Sequence, residues 1–492
     1  MTAIAGASDG ARTSDLDAII IGAGPNGLAA AIALAREGLS VRVYEAHAEP
    51  GGGLRSAPLT GDGYINDVCA TVHALALASP FLASLPLAAH GFEPVQPDAP
   101  FAHPLDDGDA VVAERTIDAT VDGLSREDAR AYRALFGPLV ADAERVMEAL
   151  LAPPGRRHPL LMARLGMTAV RSARGLAERF RDARTRAAIA GVAAHAILPL
   201  QFAGTAGYTI GLALAAHGVG WPIARGGSQA LARALTSYLS SLGGEVITGA
   251  PVTSIDELPR ARAILCDVSP RQFIALAGDR LPRRYARRLE CFRHGPGVFK
   301  MDWALSAPVP WQAEACRRAG TIHLGGSFDE IAASEDAAWR GRVADRPYVL
   351  AVQPTLWDPS RAPEGRHTLW AYCHVPHGSN VDMTARIEAQ IERFAPGFRD
   401  SIIARHTMGP AAMHARNANL IGGDIAGGAG TLAQVLMRPI ATIDPYATAV
   451  KDVYLCSSST PPGVGVHGMC GYYAARSALA RTFGRRLRDG RG

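Results

Sequence analysis

The sequence predicts an α/β fold, and three consecutive observations predict it. A short apolar run, Asp17-Ala-Ile-Ile-Ile21, ends in a Gly-x-Gly-x-x-Gly turn. An Ala/Leu-rich segment with helical periodicity follows it directly, and a second β-branched run, Val41-Arg-Val-Tyr-Glu45, ends in an acid 18 residues after Gly27. Strand, helix and strand in that order form a unit that binds dinucleotides.

Each residue of the unit has a physical task. Gly22 permits the tight turn, Gly24 lets the backbone approach a pyrophosphate, and Gly27 lets helix and strand pack closely. Pro25 and Asn26 open the helix, whose free N–H groups point at the anion. Glu45 is placed to accept hydrogen bonds from ribose hydroxyls. An acid there would repel the extra phosphate of NADP, which leaves FAD or NAD.

At 492 residues the chain can bury a large core and hold two or three domains. With 48% apolar and 20% charged residues it has a globular balance. A net charge of +4 is small for this length and makes no case for nucleic acid. Seven cysteines, with no Cys-x-x-Cys, argue against a disulfide framework, a zinc ribbon and a dithiol redox pair. A reduced, cytoplasmic protein is expected. Residues 1–16 are small and polar and read as a disordered leader, and no run of about 18 apolar residues suggests a membrane span.

Farther along, residues 124–217 have helical patterning, broken at Pro153-Pro154-Gly155. Glu245-Val-Ile and Pro251-Val-Thr-Ser-Ile255 read as short strands. Alternation in Val298–Leu305, Tyr348–Gln353 and His367–His374 predicts a second sheet. The chain closes with the strand Val453-Tyr-Leu, a loop with a further Gly-x-Gly-x-x-Gly from Gly463 to Gly468, and a helix over about 472–487. Too little chain remains there for a second nucleotide fold. The arginine-rich stretch 156–186, interleaved with Leu and Met, is a candidate for peripheral contact with an anionic membrane.

The segment Gly51-Gly-Gly-Leu-Arg55-Ser56, followed by Gly63-Tyr-Ile-Asn-Asp67, resembles the glycine-doublet signature of flavoproteins in the amine oxidase and phytoene dehydrogenase superfamily. The version here, with Val68-Cys-Ala-Thr-Val-His73 after the aspartate, is similar to the bacterial phytoene dehydrogenase-related branch. The resemblance implies non-covalent FAD, with Gly52, Gly53, Leu54 and Arg55 around its pyrophosphate and the backbone of Val252 against adenine. It implies that the closing loop, Gly465, Val466, His467, Gly468 and Met469, lies under the flavin ring, where helix N–H groups would stabilise reduced, anionic flavin.

The same resemblance implies a Rossmann-type FAD-binding domain (17–90, 218–297 and 445–492) interleaved with a mixed-sheet plus helical substrate domain (91–217 and 298–444). Lys300 matches the strand that carries a flavin-facing lysine in amine oxidases. His73 and His467 are further candidate catalytic residues. His374 and His377 lack a clear third ligand, so no metal is expected. Asn417, Asn419 and Gly422-Gly-Asp424 form a turn that either frames the pocket or only reverses the chain.

The expected activity is hydride transfer from a C–H bond of an apolar small molecule to flavin N5, with oxygen or a quinone as acceptor. Three alternatives stay open: amine or amino-acid oxidation with oxygen, redox-neutral isomerisation or reduction of a polyene, and a non-catalytic FAD-bound scaffold.

Overall fold

The computed structural model describes residues 16–153 and 158–486. The leader expected at 1–16 therefore falls almost wholly outside the described residues. Five parallel strands form the first sheet, in the order Val453–Leu455, Ala261–Cys266, Leu16–Ile21, Val41–Tyr44 and Glu245–Ile247. A parallel sheet is covered on both faces, and Ala18, Ile19 and Ile20 in its central strand are fully buried.

The helix Pro25–Ala35 has no polar stripe, because everything from Asn26 to Ala35 is buried. It packs on its own strand, on the helix Gln229–Ser241 and on the closing helix Met469–Arg481. The last contact is backbone to backbone: a Cβ on Gly471 would stand 1.8 Å from the Asn26 carbonyl oxygen. The closing helix thus begins three residues earlier than its patterning predicts, at Met469.

Two other expectations change. Residues 251–254 form no strand and lead into a single 3-10 turn, Ile255–Glu257. The strand beside the first one is Ala261–Cys266, whose mixed composition hid it.

The second sheet has seven strands, in the order Ile402–Met408, Gly297–Leu305, His367–Val375, Val349–Val352, Ala319–Leu324, Ala99–Pro104 and Ala110–Ala113. It is mixed, with the pair Ala319–Leu324 and Ala99–Pro104 parallel and the rest antiparallel. Every residue of Gly297–Leu305 is buried. One face of that strand carries Trp303, which belongs to the core under the helix Thr384–Phe394 and donates to Glu388. The other face carries Lys300 and Asp302.

The arginine-rich stretch is not one amphipathic helix. It is divided among Pro159–Ala169, Ala173–Ala177 and Ala183–Ala193, while Arg156 and Arg157 lie outside the described residues. Arg174, Arg181 and Arg184 pair with Asp329, Glu127 and Asp109 on separate elements. These side chains tie the helical layer to its surroundings. Among the described residues no helix is long and apolar enough to cross a membrane.

Candidate active site

A cavity of about 810 Å³ runs between the C-terminal ends of the parallel strands and the inner face of the second sheet. Such a crevice is where open α/β sheets bind ligands. Its nucleotide side is lined by Gly22, Gly24, Pro25, Asn26, Glu45, Gly52, Gly53, Arg55 and Val252. Gly27 and Leu54 lie behind this wall. A Cβ on Gly27 would fall 1.9 Å from the Gly22 carbonyl oxygen, so that glycine closes the turn on itself. Leu54 is fully buried in the core.

Both glycine motifs meet here, since a Cβ on Gly52 would approach the Gly24 Cα to 3.1 Å. Glu45 braces the turn: Ala23 N–H donates to one carboxylate oxygen and His47 N–H to the other, each at 2.8 Å. Each oxygen keeps a further lone pair for a hydroxyl.

Arg55 tests whether a phosphate fits. It is only 5% exposed, and burial lowers its pKa. Its Nε donates to the Gly52 carbonyl at 3.1 Å and its Nη2 to the Arg416 carbonyl. Nη1 is buried without a partner, and no carboxylate among the described residues lies within ion-pair distance. A buried guanidinium with an unused donor is costly unless an anion completes it. The donor set therefore fits a dinucleotide pyrophosphate.

Asp267, which sequence reasoning missed, sits over the same turn. It follows the strand Ala261–Cys266, and its Oδ2 accepts from Gly27 N–H at 2.9 Å. The helix N-cap residue, Gly24, has no side chain to do this. Burial pushes the Asp267 acid up to about 7; the Gly27 N–H opposes the shift and the nearby Glu45 adds to it. Asn417 and Asn419 also line the cavity, and Asn419 bridges Ser269 N–H and the Asp267 carbonyl. That segment frames the pocket as well as turning the chain, while Asp424 stays buried and accepts from the backbone N–H groups of Gly295, Ala426 and Gly428.

The far side is apolar and aromatic, with Val72, Leu75, Leu212, Trp221, Val298, Leu350, Trp370 and Tyr372 on its wall. Lys300 is here too, 1% exposed. Its ammonium donates to Asp302 Oδ2 and stands 5.9 Å from the Trp370 ring centroid. Trp370 and Tyr372 have rings 5.2 Å apart at 88° and flank the lysine because the antiparallel register sets them opposite Asp302 and Lys300. Trp303, Tyr472 and Tyr473 are not on this wall.

Two expected catalytic residues lie behind the wall. His73 is 1% exposed and shares a 2.9 Å hydrogen bond with Ser228 Oγ, and burial lowers it to about 4. Its neighbours Val72 and Ala74 line the cavity instead. In the closing loop, Val464, Gly465 and Val466 line the cavity. His467 is fully buried behind them; its Nδ1 accepts from Met469 N–H at 3.0 Å, and burial lowers it to about 4. Met469 N–H is therefore already used, and Gly468 packs on Ala29 and Leu82.

The imidazole on the apolar side of the cavity is that of His195, which sequence reasoning did not single out; His47 lines the opposite side, beside Glu45. His195 shares a 2.9 Å hydrogen bond with His323, and burial lowers it to about 3, so it is neutral. His374 is paired with Glu335 and His377 with the Gly295 carbonyl, on different elements. Among the described residues no group of three His, Cys, Asp or Glu could hold a metal ion.

Comparison with known proteins agrees with this architecture. Residues 20–82 match the family described as an NAD(P)-binding Rossmann-like domain. The chain is 28% identical over 294 residues to the pyridine nucleotide-disulfide oxidoreductase domain-containing protein 2 of Rattus norvegicus, covering 52% of this chain. That match spans half, 50%, of the rat protein's length. It is 27% identical over 412 residues to a phytoene dehydrogenase of Streptomyces griseus, covering 78% of this chain and 77% of that one. A putrescine oxidase bound to putrescine has the same fold, with a TM-score of 0.63 at 18% identity over 96% of this chain and 99% of that one. The chain is thus related to phytoene dehydrogenase-type oxidoreductases, as its glycine-doublet segment implies, and its fold is α/β with a Rossmann-like domain.

Proposed function

We propose that this chain is an FAD-dependent oxidoreductase that removes a hydride from a C–H bond of an apolar small molecule. One observation carries the reading: a single cavity joins a phosphate-type site, built on Gly24, Gly52 and the incomplete donor set of Arg55, to an apolar and aromatic chamber. The flavin supplies the redox chemistry when bound. The protein's share is to hold the pyrophosphate, to exclude water with Val72, Leu75, Leu212 and Leu350, and to present one charged side chain, Lys300, on the chamber wall. A desaturating step suits a chamber whose imidazole, His195, is neutral.

Oxidation of an amine or amino acid with oxygen is the second reading. It is favoured by the buried Lys300 beside the crossed rings of Trp370 and Tyr372. Anaerobic bleaching of the purified, flavin-loaded protein separates the two. Bleaching by polyenes or fatty acyl compounds supports the first reading, and bleaching by amines the second. Colour that returns with an altered polyene and no net reduction points to an isomerase. A protein that binds no flavin sinks both readings; a bound flavin that no donor reduces and air does not reoxidise leaves a scaffold.

A further inference from the structure

The cavity wall is connected to the outer surface through charged side chains. Lys300 is on the wall, and its ammonium donates to Asp302 Oδ2. Asp302 is fully buried, yet its second oxygen, Oδ1, has no hydrogen-bond partner. A buried carboxylate oxygen left unsatisfied is rare and calls for an explanation. On the neighbouring strand Ile402–Met408, His406 stands directly opposite Asp302 in the register. Its Nδ1 lies 3.8 Å from Asp302 Oδ2, and its side chain is 29% exposed. Arg405 and Glu388 pair on the opposite face of the sheet and do not enter this line.

We propose that Lys300, Asp302 and His406 form a proton path between the cavity and solvent, resting on the flavin reading above and committed to oxygen as the acceptor. Oxygen reoxidising a reduced, anionic flavin takes from it two electrons and one proton, and needs one more proton to leave as hydrogen peroxide: FADH⁻ + O₂ + H⁺ gives FAD + H₂O₂. Lys300 gives up the second proton from Nζ. His406, carrying a proton on Nδ1 and after a ring rotation that closes the 3.8 Å gap, first protonates the Asp302 carboxylate; Asp302 passes that proton to the neutral amine, and His406 takes up another from solvent. One proton enters at the surface for each one consumed in the cavity. His73 and His467 do not offer this route, because both are buried and held neutral, and His195 is held neutral and bonds another buried imidazole, that of His323.

His406→Gln keeps a polar side chain of similar reach but cannot relay a proton. In the flavin-loaded protein, photoreduced and then mixed with oxygen, the variant should reoxidise roughly tenfold or more slowly, and added imidazole should restore the rate. In the flavin-free protein the Lys300 ammonium hydrogens, followed by NMR with Lys451 as the other lysine signal, should exchange with solvent more slowly in the variant, a readout that does not depend on reoxidation. An unchanged rate overturns the path. A slower rate that imidazole does not rescue, or unaltered exchange of the Lys300 ammonium hydrogens, also overturns it, because it assigns His406 a packing role alone. If the unsubstituted protein binds no flavin, the flavin reading itself falls; if it binds flavin that oxygen does not reoxidise, only the path and its acceptor fall.

Discussion

Arg361 Nη1 donates to Asp67 Oδ2 at 2.6 Å, joining two fully buried residues 294 positions apart. Arg361 also bonds Asp358, at 3.2 Å, and the Ala224 carbonyl. Burial alone would raise the Asp67 pKa, but the Arg361 charge and hydrogen bonds from Thr71 and Ser228 hold it at about 2. Asp67 in turn accepts from Ser56 Oγ across the two-stranded hairpin, Ser56–Ala57 against Asn66–Asp67. The arginine thus clamps the loop that carries Arg55.

Arg361→Met should destabilise the protein by about 3–5 kcal/mol, since it leaves Asp67 buried without its cation and Asp358 with only Arg225, 3.8 Å away. Urea unfolding measures the loss, and flavin affinity should fall with it. A change under 1 kcal/mol would mean that water already solvates Asp67.

Asp267 gives a pH signature with a definite sign. Its folded pKa is raised from 3.8 to about 7, so its stabilising contribution is fully present below 3.8 and is lost as pH rises through 7. Asp267→Asn stays neutral and can still accept from Gly27 N–H. Its stability relative to the unsubstituted protein should therefore climb between pH 4 and pH 8, by at most about 4 kcal/mol. Denaturation of both apoproteins across that range decides it; a constant difference would place water beside the carboxyl.

Two glycines in helices, one in the nucleotide turn and one outside it, should respond in opposite ways to alanine. Gly27→Ala puts a methyl group 1.9 Å from the Gly22 carbonyl oxygen, so the turn must open. Flavin binding should be lost along with several kcal/mol of stability. Gly211, in the helix Thr205–Gly218, would place the same atom in ordinary contact only, 3.7 Å from Leu150 Cδ1. Gly211→Ala should stabilise by about 0.5–1 kcal/mol through helix propensity. Thermal melts and flavin content of the two variants check both signs.

What was legible in the sequence follows from where the contacts lie along the chain. The turn Gly22–Gly27 and the acid at Glu45 act within one strand–helix–strand unit, so local pattern sufficed. Arg361 and Asp67, or Trp370 beside Lys300, meet only through the second sheet, whose register no local pattern states. His73 and His467 were misplaced for a related reason. Each adjoins a residue that lines the cavity, Val72 and Val466, and in these irregular segments the packing around the loop, not a local period, sets which side chain turns inward. Asp267 was hidden because Ala-Arg-Ala-Ile-Leu-Cys does not alternate cleanly, so the strand that positions it went unread.

Glu45 is braced to the glycine turn as well as facing the cavity, so its replacement should act twice. Glu45→Arg removes the acceptor for Ala23 N–H and crowds the ribose side. Titration of the apoprotein with FAD should show affinity weakened at least tenfold, about 1.4 kcal/mol. Full flavin occupancy after purification would count against the nucleotide assignment.

Lys300 has a structural and a chemical role, and variants can separate them. Lys300→Met leaves Asp302 as an uncompensated buried charge, which should cost about 3–5 kcal/mol of stability. Adding Asp302→Leu removes that charge and should recover most of the loss. If the ammonium also stabilises negative charge that forms as electrons reach oxygen, the double variant should still reoxidise slowly, by roughly a hundredfold for a lost term of about 3 kcal/mol. Lys451→Met, at an exposed position before the last strand, serves as the control and should alter neither quantity. Stopped-flow mixing of photoreduced protein with oxygen measures the step without a known substrate. A double variant with restored stability and a normal reoxidation rate would confine Lys300 to its ion pair and favour a desaturase that uses another acceptor.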